Sequence, residues 1–187
     1  MTSVNDLWYL ASEAAQQAEQ TYHRLGERHD DFVEFETTKH ISRYRFRTVA
    51  TRIEDNGAPY GVHTLVYRDS GELLLVRHEG VGKWVLPGGE ADDDESFREA
   101  AVRELREEAG IEADYEGLGM LVRVTFVGDS HSTWGVLLIF EARPDSTALA
   151  VEDPDGEISD AQWFAELPED TRDREQLQQW REQRFGE

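Results

Sequence analysis

GEADDDESFREAAVRELREEAGI, residues 89–111, is the stretch on which the reading of this chain turns. Ser96-Phe97-Arg98-Glu99 has the spacing of a capping box, in which the serine oxygen takes the N3 amide and the glutamate returns to the N-cap amide. A helix therefore starts at Ser96, and Gly110 supplies the left-handed stop that ends it. Between them, Phe97, Ala101 and Leu105 form an apolar stripe able to pack on a sheet. Glu104, Glu107 and Glu108 recur at i, i+3 and i+4, so their carboxylates share another face of the same helix.

Three acids at that spacing repel one another by a few tenths of a kcal/mol. Two of them stand near the helix C-terminus, where the dipole is already negative. A bound cation reverses the sign of that argument. Hard oxygen ligands on one rigid face suit Mg²⁺ or Mn²⁺, ions that retain waters and accept phosphate oxygens. A merely solvated acidic face is the alternative, and the glutamates alone do not decide between the two.

The residues around them do. Gly89, five residues, Glu95, seven residues, then Arg103-Glu104-Leu105-Arg106-Glu107-Glu108-Ala109-Gly110-Ile111 resembles the complete Nudix box. A chance match in a chain of this composition is on the order of one in a million, unlike that of a short motif. Trp84-Val85-Leu86-Pro87-Gly88-Gly89 resembles the usual approach to the box, and Trp163-Phe164 with Leu167-Pro168 the usual exit. The resemblance spans residues 60–185. It implies that Glu104, Glu107 and Glu108 are metal ligands, joined by the Gly88 carbonyl, with Mg²⁺ or Mn²⁺ as cofactor. It further implies that Arg103 and Glu95 pair across loop and helix. Glu157, six residues before Trp163, has the spacing of a loop glutamate that serves relatives as metal ligand or general base. Glu157 also stands among Glu152, Asp153, Asp155 and Asp160, so a solvated loop acid is the competing reading.

Outward from the box, the pattern predicts strands mixed with a few helices. Leu7, Leu10, Ala14, Ala18 and Tyr22 keep helical spacing over residues 5–27. Residues 43–49 alternate Arg, Tyr, Arg, Phe, Arg, Thr, Val, the period of a half-buried strand. Turn residues from Glu54 to Pro59 suggest a boundary, giving a helix-and-strand extension over residues 1–55 and a core domain over 56–187. Residues 60–67 and 72–77 read as a hairpin about Asp69-Ser70-Gly71. Further strands fall at 120–127, 134–142 and 161–167, and a last helix at 171–185. The expected fold class is α/β: the Nudix fold, an α/β/α sandwich on a mixed sheet, with the N-terminal extension added.

Forty acidic residues against 19 basic ones give a net charge of −21, with Lys39 and Lys83 the only lysines. Such a surface repels nucleic-acid backbone and anionic membrane, so neither a nucleic-acid polymer nor a membrane is expected as partner. Dense acid with arginine as the main cation resembles proteins of salt-loving archaea. There is no cysteine, hence no thiolate metal site or cysteine nucleophile. No apolar run is long enough for a signal peptide or membrane span, and a cytoplasmic protein is the expectation. The six histidines show no ligand spacing.

The expected activity is metal-dependent hydrolysis of a diphosphate linkage in a nucleoside diphosphate derivative or a nucleoside triphosphate. A catalytically silent nucleotide sensor or interaction module is the alternative, disfavoured by the intact box. Arg77 is a candidate phosphate contact, with a surface salt bridge as its competitor. Trp134 is a candidate base-stacking residue, with a core tryptophan as its competitor. Arg43, Arg45, Arg47 and Arg52 cluster with Lys39, either lining an anion site or charging an edge strand. A further reading makes residues 1–55 an interaction element that would form a homodimer. Substrate-class marks are missing: Pro87-Gly88-Gly89 stands where diadenosine-polyphosphate enzymes tend to have Pro-Lys-Gly, the coenzyme A signature is absent, and the proline beyond the box of many ADP-ribose enzymes is absent too.

Overall fold

The computed structural model describes residues 4–186 and divides into two compact units, residues 4–61 with 120–138 and residues 62–119 with 139–186. The two longest strands are β6 (Ala113–Val127) and β7 (Ser132–Pro144).

The first unit holds α1 (Val4–Arg28), β1 (Val33–His40) and α2 (Arg43–Asn56) with the β6–β7 strands in the order β1-β6-β7. Strand β1 runs parallel to β6, from Val33 opposite Met120 to His40 opposite Val127. Leu7, Ala11, Ala14 and Ala18 of α1 meet Phe46, Val49, Ala50 and Ile53 of α2 over Val122, Val124 and Phe126 of the sheet. Small residues on α1 let the two helices approach closely. At the far end Thr21 Oγ1 donates to the Asn56 carbonyl, and Gly57 closes α2 in the left-handed conformation. A Cβ on Gly57 would lie 2.4 Å from Thr21 Oγ1, so only glycine fits this junction.

The strand expected at residues 43–49 is a helix. Ser42 is its N-cap and accepts from the Arg45 amide. The buried set Phe46, Val49, Ala50, Ile53 has helical spacing that continues past the window in which the residues also alternate. The strand of this segment lies earlier, at Val33–His40, where half-buried and exposed positions alternate. Arg43, Arg45, Arg47 and Arg52 therefore stand on α2 and not on an edge strand.

In the second unit the larger sheet has the strand order β6-β7-β2-β5, with β2 (Val62–Val66) antiparallel to β5 (Gly88–Gly89). A smaller antiparallel sheet has the order β4-β3-β8, from β4 (Lys83–Val85), β3 (Leu73–His78) and β8 (Ile158–Phe164). Helix α3 (Phe97–Ala109) places Leu105 and Ala109 among Val66, Leu74, Val76, Val85, Ile158 and Ala161. The mixed sheet with helices agrees with the expected α/β class. The 60–77 segment turns as expected, with Gly71 N–H donating to the Arg68 carbonyl, but the arms pair only close to the turn, through the Tyr67–Leu73 bridge and the Arg68 N–H to the Glu72 carbonyl among the described residues. Strand β2 enters the larger sheet and β3 the smaller one, so the segment splits between sheets in place of closing a hairpin. Helix α4 (Arg174–Phe185) buries Leu177 and Trp180. No helix among the described residues is long and apolar enough to cross a membrane.

Candidate active site

Helix α3 forms as its sequence demands. The Ser96 hydroxyl accepts from the Glu99 amide, Glu99 accepts from the Ser96 amide at 2.9 Å, and Gly110 ends the helix at φ 68°. Burial of Ala101, Leu105 and Ala109 fixes its rotation, which leaves the Glu104–Glu107–Glu108 face toward the Gly88–Gly89 strand and the 152–157 loop.

Glu108 is 7% exposed and accepts from the Gly88 N–H at 2.8 Å. Burial pushes its carboxyl up to about 8; the Gly88 amide opposes the shift, and the carboxylates of Glu104, Asp153 and Glu157 reinforce it. Burial likewise raises the pKa of Glu104, against the attraction of Arg103. Gly89 makes room for Glu104, since a Cβ there would lie 2.5 Å from Glu104 Oε1. Gly88 has φ 154°, and a Cβ on it would meet the Val62 carbonyl oxygen at 2.2 Å.

Arg103 organises this face. Its Nε and Nη2 donate to the two oxygens of Glu95, each at 2.9 Å, and Nη2 also reaches the Glu90 carbonyl at 3.0 Å. Nη1 donates to Glu104 at 2.8 Å and lies 3.5 Å from Glu107 Oε2. This fork geometry requires guanidinium. It holds Glu95 below the ordinary carboxylate range and Arg103 above its ordinary value. The loop that follows β7 is tied back to the helix: Glu152 N–H donates to the Glu107 carbonyl, and Ala150 N–H to that of Ala109.

The structure thus brings Gly88, Glu95, Arg103, Glu104, Glu107 and Glu108 together in one unit, with Glu157 near enough to act electrostatically on Glu108. Among the described residues no three His, Cys, Asp or Glu side chains gather into a ready metal cluster; Arg103 takes up Glu104 and Glu107. The donor chemistry nonetheless fits a hard divalent ion. Glu108 is a buried carboxyl with a single N–H partner and three acids acting on it, an arrangement that a cation relieves.

Two further expected residues have partners of their own. Arg77 donates to Asp170 at 2.5 Å and lies over the Trp84 ring, so any phosphate would compete with that ion pair. Trp134 belongs to the first unit, where the Arg123 guanidinium lies 4.1 Å from its ring centroid and Tyr22 meets it edge-on at 6.2 Å. Sequence reasoning passed over His63 and His78. Burial lowers the pKa of His63 to about 4, and Arg172 and His78 add to the effect. His78 Nε2 lies 3.3 Å from Glu157 Oε2. No sequence spacing marks either histidine, because their neighbours arrive from other strands and loops.

Fold and site together define an α/β domain that carries an arginine-braced carboxylate helix behind a Gly-Gly strand. A family model described as NUDIX domain matches residues 57–181, and the chain belongs to the Nudix family. A Bacillus subtilis (strain 168) relative is 37% identical over 91 residues, covering 48% of this chain and 61% of that protein. The 8-oxo-dGDP phosphatase of Danio rerio is 33% identical over 109 residues, 56% of this chain and 31% of that one. The CTP pyrophosphohydrolase of Escherichia coli (strain K12) is 46% identical over 56 residues, 28% of this chain and 41% of that one. The chain spans less than two thirds of the length of these relatives. Among solved structures, a MutT NUDIX hydrolase from Burkholderia pseudomallei is 27% identical with a TM-score of 0.49, covering 66% of this chain and 95% of that one.

Proposed function

We propose that this chain hydrolyses a phosphoric anhydride bond in a nucleoside diphosphate derivative or a nucleoside triphosphate, with Mg²⁺ or Mn²⁺ as cofactor. Glu104, Glu107, Glu108 and the Gly88 carbonyl would hold the ion. The observation that carries the reading is Glu108, a buried carboxyl raised to about 8 amid other acids, on a helix whose remaining acids Arg103 holds in place. The names of the relatives, a phosphatase and a pyrophosphohydrolase of nucleotides, agree with this substrate class.

When bound, a divalent ion neutralises charge on the diphosphate and lowers the pKa of a water. Arg103 keeps Glu104 and Glu95 in fixed rotamers. Glu157, exposed on its loop, accepts the proton of the attacking water at a carboxylate oxygen. The water oxygen bonds to phosphorus as the bridging P–O bond breaks, leaving two phosphate products. A screen over nucleoside triphosphates and diphosphate derivatives, with Mg²⁺ at high salt and chromatographic separation of the phosphorylated products, tests the reading. Turnover supports it; tight binding without turnover across the panel favours the sensor.

The raised pKa of Glu108 sets a pH dependence. Its folded value lies above the unfolded one, so ionisation opposes the metal-free fold increasingly as pH rises from the ordinary carboxylate range to about 8. Below about 8 a metal must displace its proton. Mg²⁺ affinity measured by calorimetry is expected to fall by up to roughly tenfold per pH unit below that point and to level off above it. A flat profile would remove Glu108 as a ligand.

The charge of −21 supports adaptation to high salt. Counterions screen self-repulsion over a Debye length of about 10 Å at 0.1 M and less at molar salt. The melting temperature is expected to climb steadily as potassium chloride rises from millimolar to molar. No rise would count against the halophilic reading.

A further inference from the structure

We propose that His78 is a positioning residue for Glu157, holding its carboxylate in place within electrostatic reach of Glu108. The inference rests on the reading of Glu157 as the proton acceptor, and it names what orients that group.

The backbone of Glu157 is fixed from two sides. Its N–H and that of Ile158 both donate to Asp153 Oδ2, at 2.6 and 2.9 Å, and the Asp155 N–H donates to Asp153 Oδ1. Its carbonyl accepts from the Glu79 N–H at 2.9 Å. The side chain is another matter, being 63% exposed. A glutamate on an exposed loop has several open rotamers, and a proton acceptor that wanders among them is in place only part of the time. The contact given to its carboxylate is His78 Nε2, at 3.3 Å.

His78 is built to hold still. The β3–β8 register shifts between Arg77 and His78, a bulge that sets His78 opposite Ile158 and turns its side chain to the loop. The Val81 and Gly82 amides wrap back onto its carbonyl. Gly80 lies against the ring, where an added Cβ would be 3.2 Å from Cε1. The imidazole is 21% exposed and its Nδ1 is buried. Nε2 lies within ion-pair distance of the carboxylate, and a small turn about the glutamate's own rotors would bring the oxygen onto an Nε2 proton. A rigid donor thus faces a mobile acceptor, as outer-shell groups orient the groups that do chemistry.

The test compares wild type, His78→Leu, His78→Gln, Glu157→Gln and the His78→Leu/Glu157→Gln double variant. Substrates are nucleoside triphosphates and diphosphate derivatives with Mg²⁺. His78→Leu is expected to lower kcat about tenfold with KM within about twofold. Glutamine, whose amide N–H can donate near the Nε2 position, restores most of the rate. In the Glu157→Gln background His78→Leu costs nothing further. A full, additive loss there, or a wild-type kcat in His78→Leu beside a slow Glu157→Gln, overturns the inference and leaves the function standing. A wild-type rate in Glu157→Gln removes the Glu157 assignment and the inference with it. A readout on the side chain needs no substrate: in His78→Leu the Glu157 Cγ and Cδ resonances are expected to move toward those of an unrestrained glutamate. Unchanged resonances overturn the inference even for a protein that turns nothing over.

Discussion

Glu108→Gln is expected to lower kcat at least about 100-fold while the protein stays folded, because it removes a charged ligand that would place the ion. Glutamine is nearly isosteric, so the packing of α3 survives. Its amide oxygen can still accept from the Gly88 N–H, whose bond to Glu108 is 2.8 Å. The buried charge is what disappears. Because burial and neighbouring acids push the Glu108 carboxyl up to about 8, the neutral amide suits the metal-free fold at least as well as the ionised acid. The variant is therefore expected to melt no lower than wild type without metal at pH 8, and to lose most of the stabilisation that Mg²⁺ gives. Comparing kcat and melting temperature in the same preparations separates loss of chemistry from loss of fold. Equal activity of the two proteins would sink the assignment of this face as the metal site.

Arg103→Lys carries the second largest effect and keeps the charge constant. Arg103 makes a two-pronged contact with Glu95 and reaches Glu104, Glu107 and the Glu90 carbonyl from one planar group. A lysine ammonium can replace one or two of these contacts but not the fork. The Arg103 side chain is 29% exposed and those of Glu95 and Glu104 are 16% and 14%, so solvent screens the network only in part. The expected loss of stability is about 1–2 kcal/mol, read from denaturant unfolding. The expected fall in kcat is about 10- to 100-fold, because Glu104 loses the group that fixes its rotamer. Wild-type kinetics in Arg103→Lys would show that charge alone matters and that the fork does not.

The α3 site was legible because its information is local. Capping box, apolar stripe, acidic face and left-handed glycine all lie within residues 96–110, and helix geometry converts their spacing directly into positions. The Arg103–Glu95 pairing follows from the box resemblance, and the structure closes it with two bonds of 2.9 Å.

Where two periodicities overlapped, the sequence misled. Residues 43–49 satisfy period two over a short window, and Phe46, Val49, Ala50 and Ile53 satisfy the helical period over a longer one. Ser42, a good N-cap, was the local cue that favours the helix. The true strand at Val33–His40 hides because Thr37 and Lys39 share its inner face with Val33 and Phe35. The split of residues 60–77 between two sheets is likewise invisible locally, since the turn chemistry is that of a hairpin. His78 was out of reach for a different reason: its partners Glu157 and Gly80 come from a distant loop and from the turn after β3. Long-range contacts of this kind are set by strand register, and a bulge one residue long decides this one.

The role proposed for the Glu104–Glu107–Glu108 face is hydrolysis of a phosphoric anhydride. Its most direct test is turnover of nucleoside triphosphates and diphosphate derivatives by the wild-type chain in heavy-oxygen water, with Mg²⁺ at high salt and mass analysis of the products. Two phosphorylated products are expected, one of them carrying a single solvent oxygen. Intact substrate across the panel, from a folded protein that binds those same nucleotides, would contradict that role.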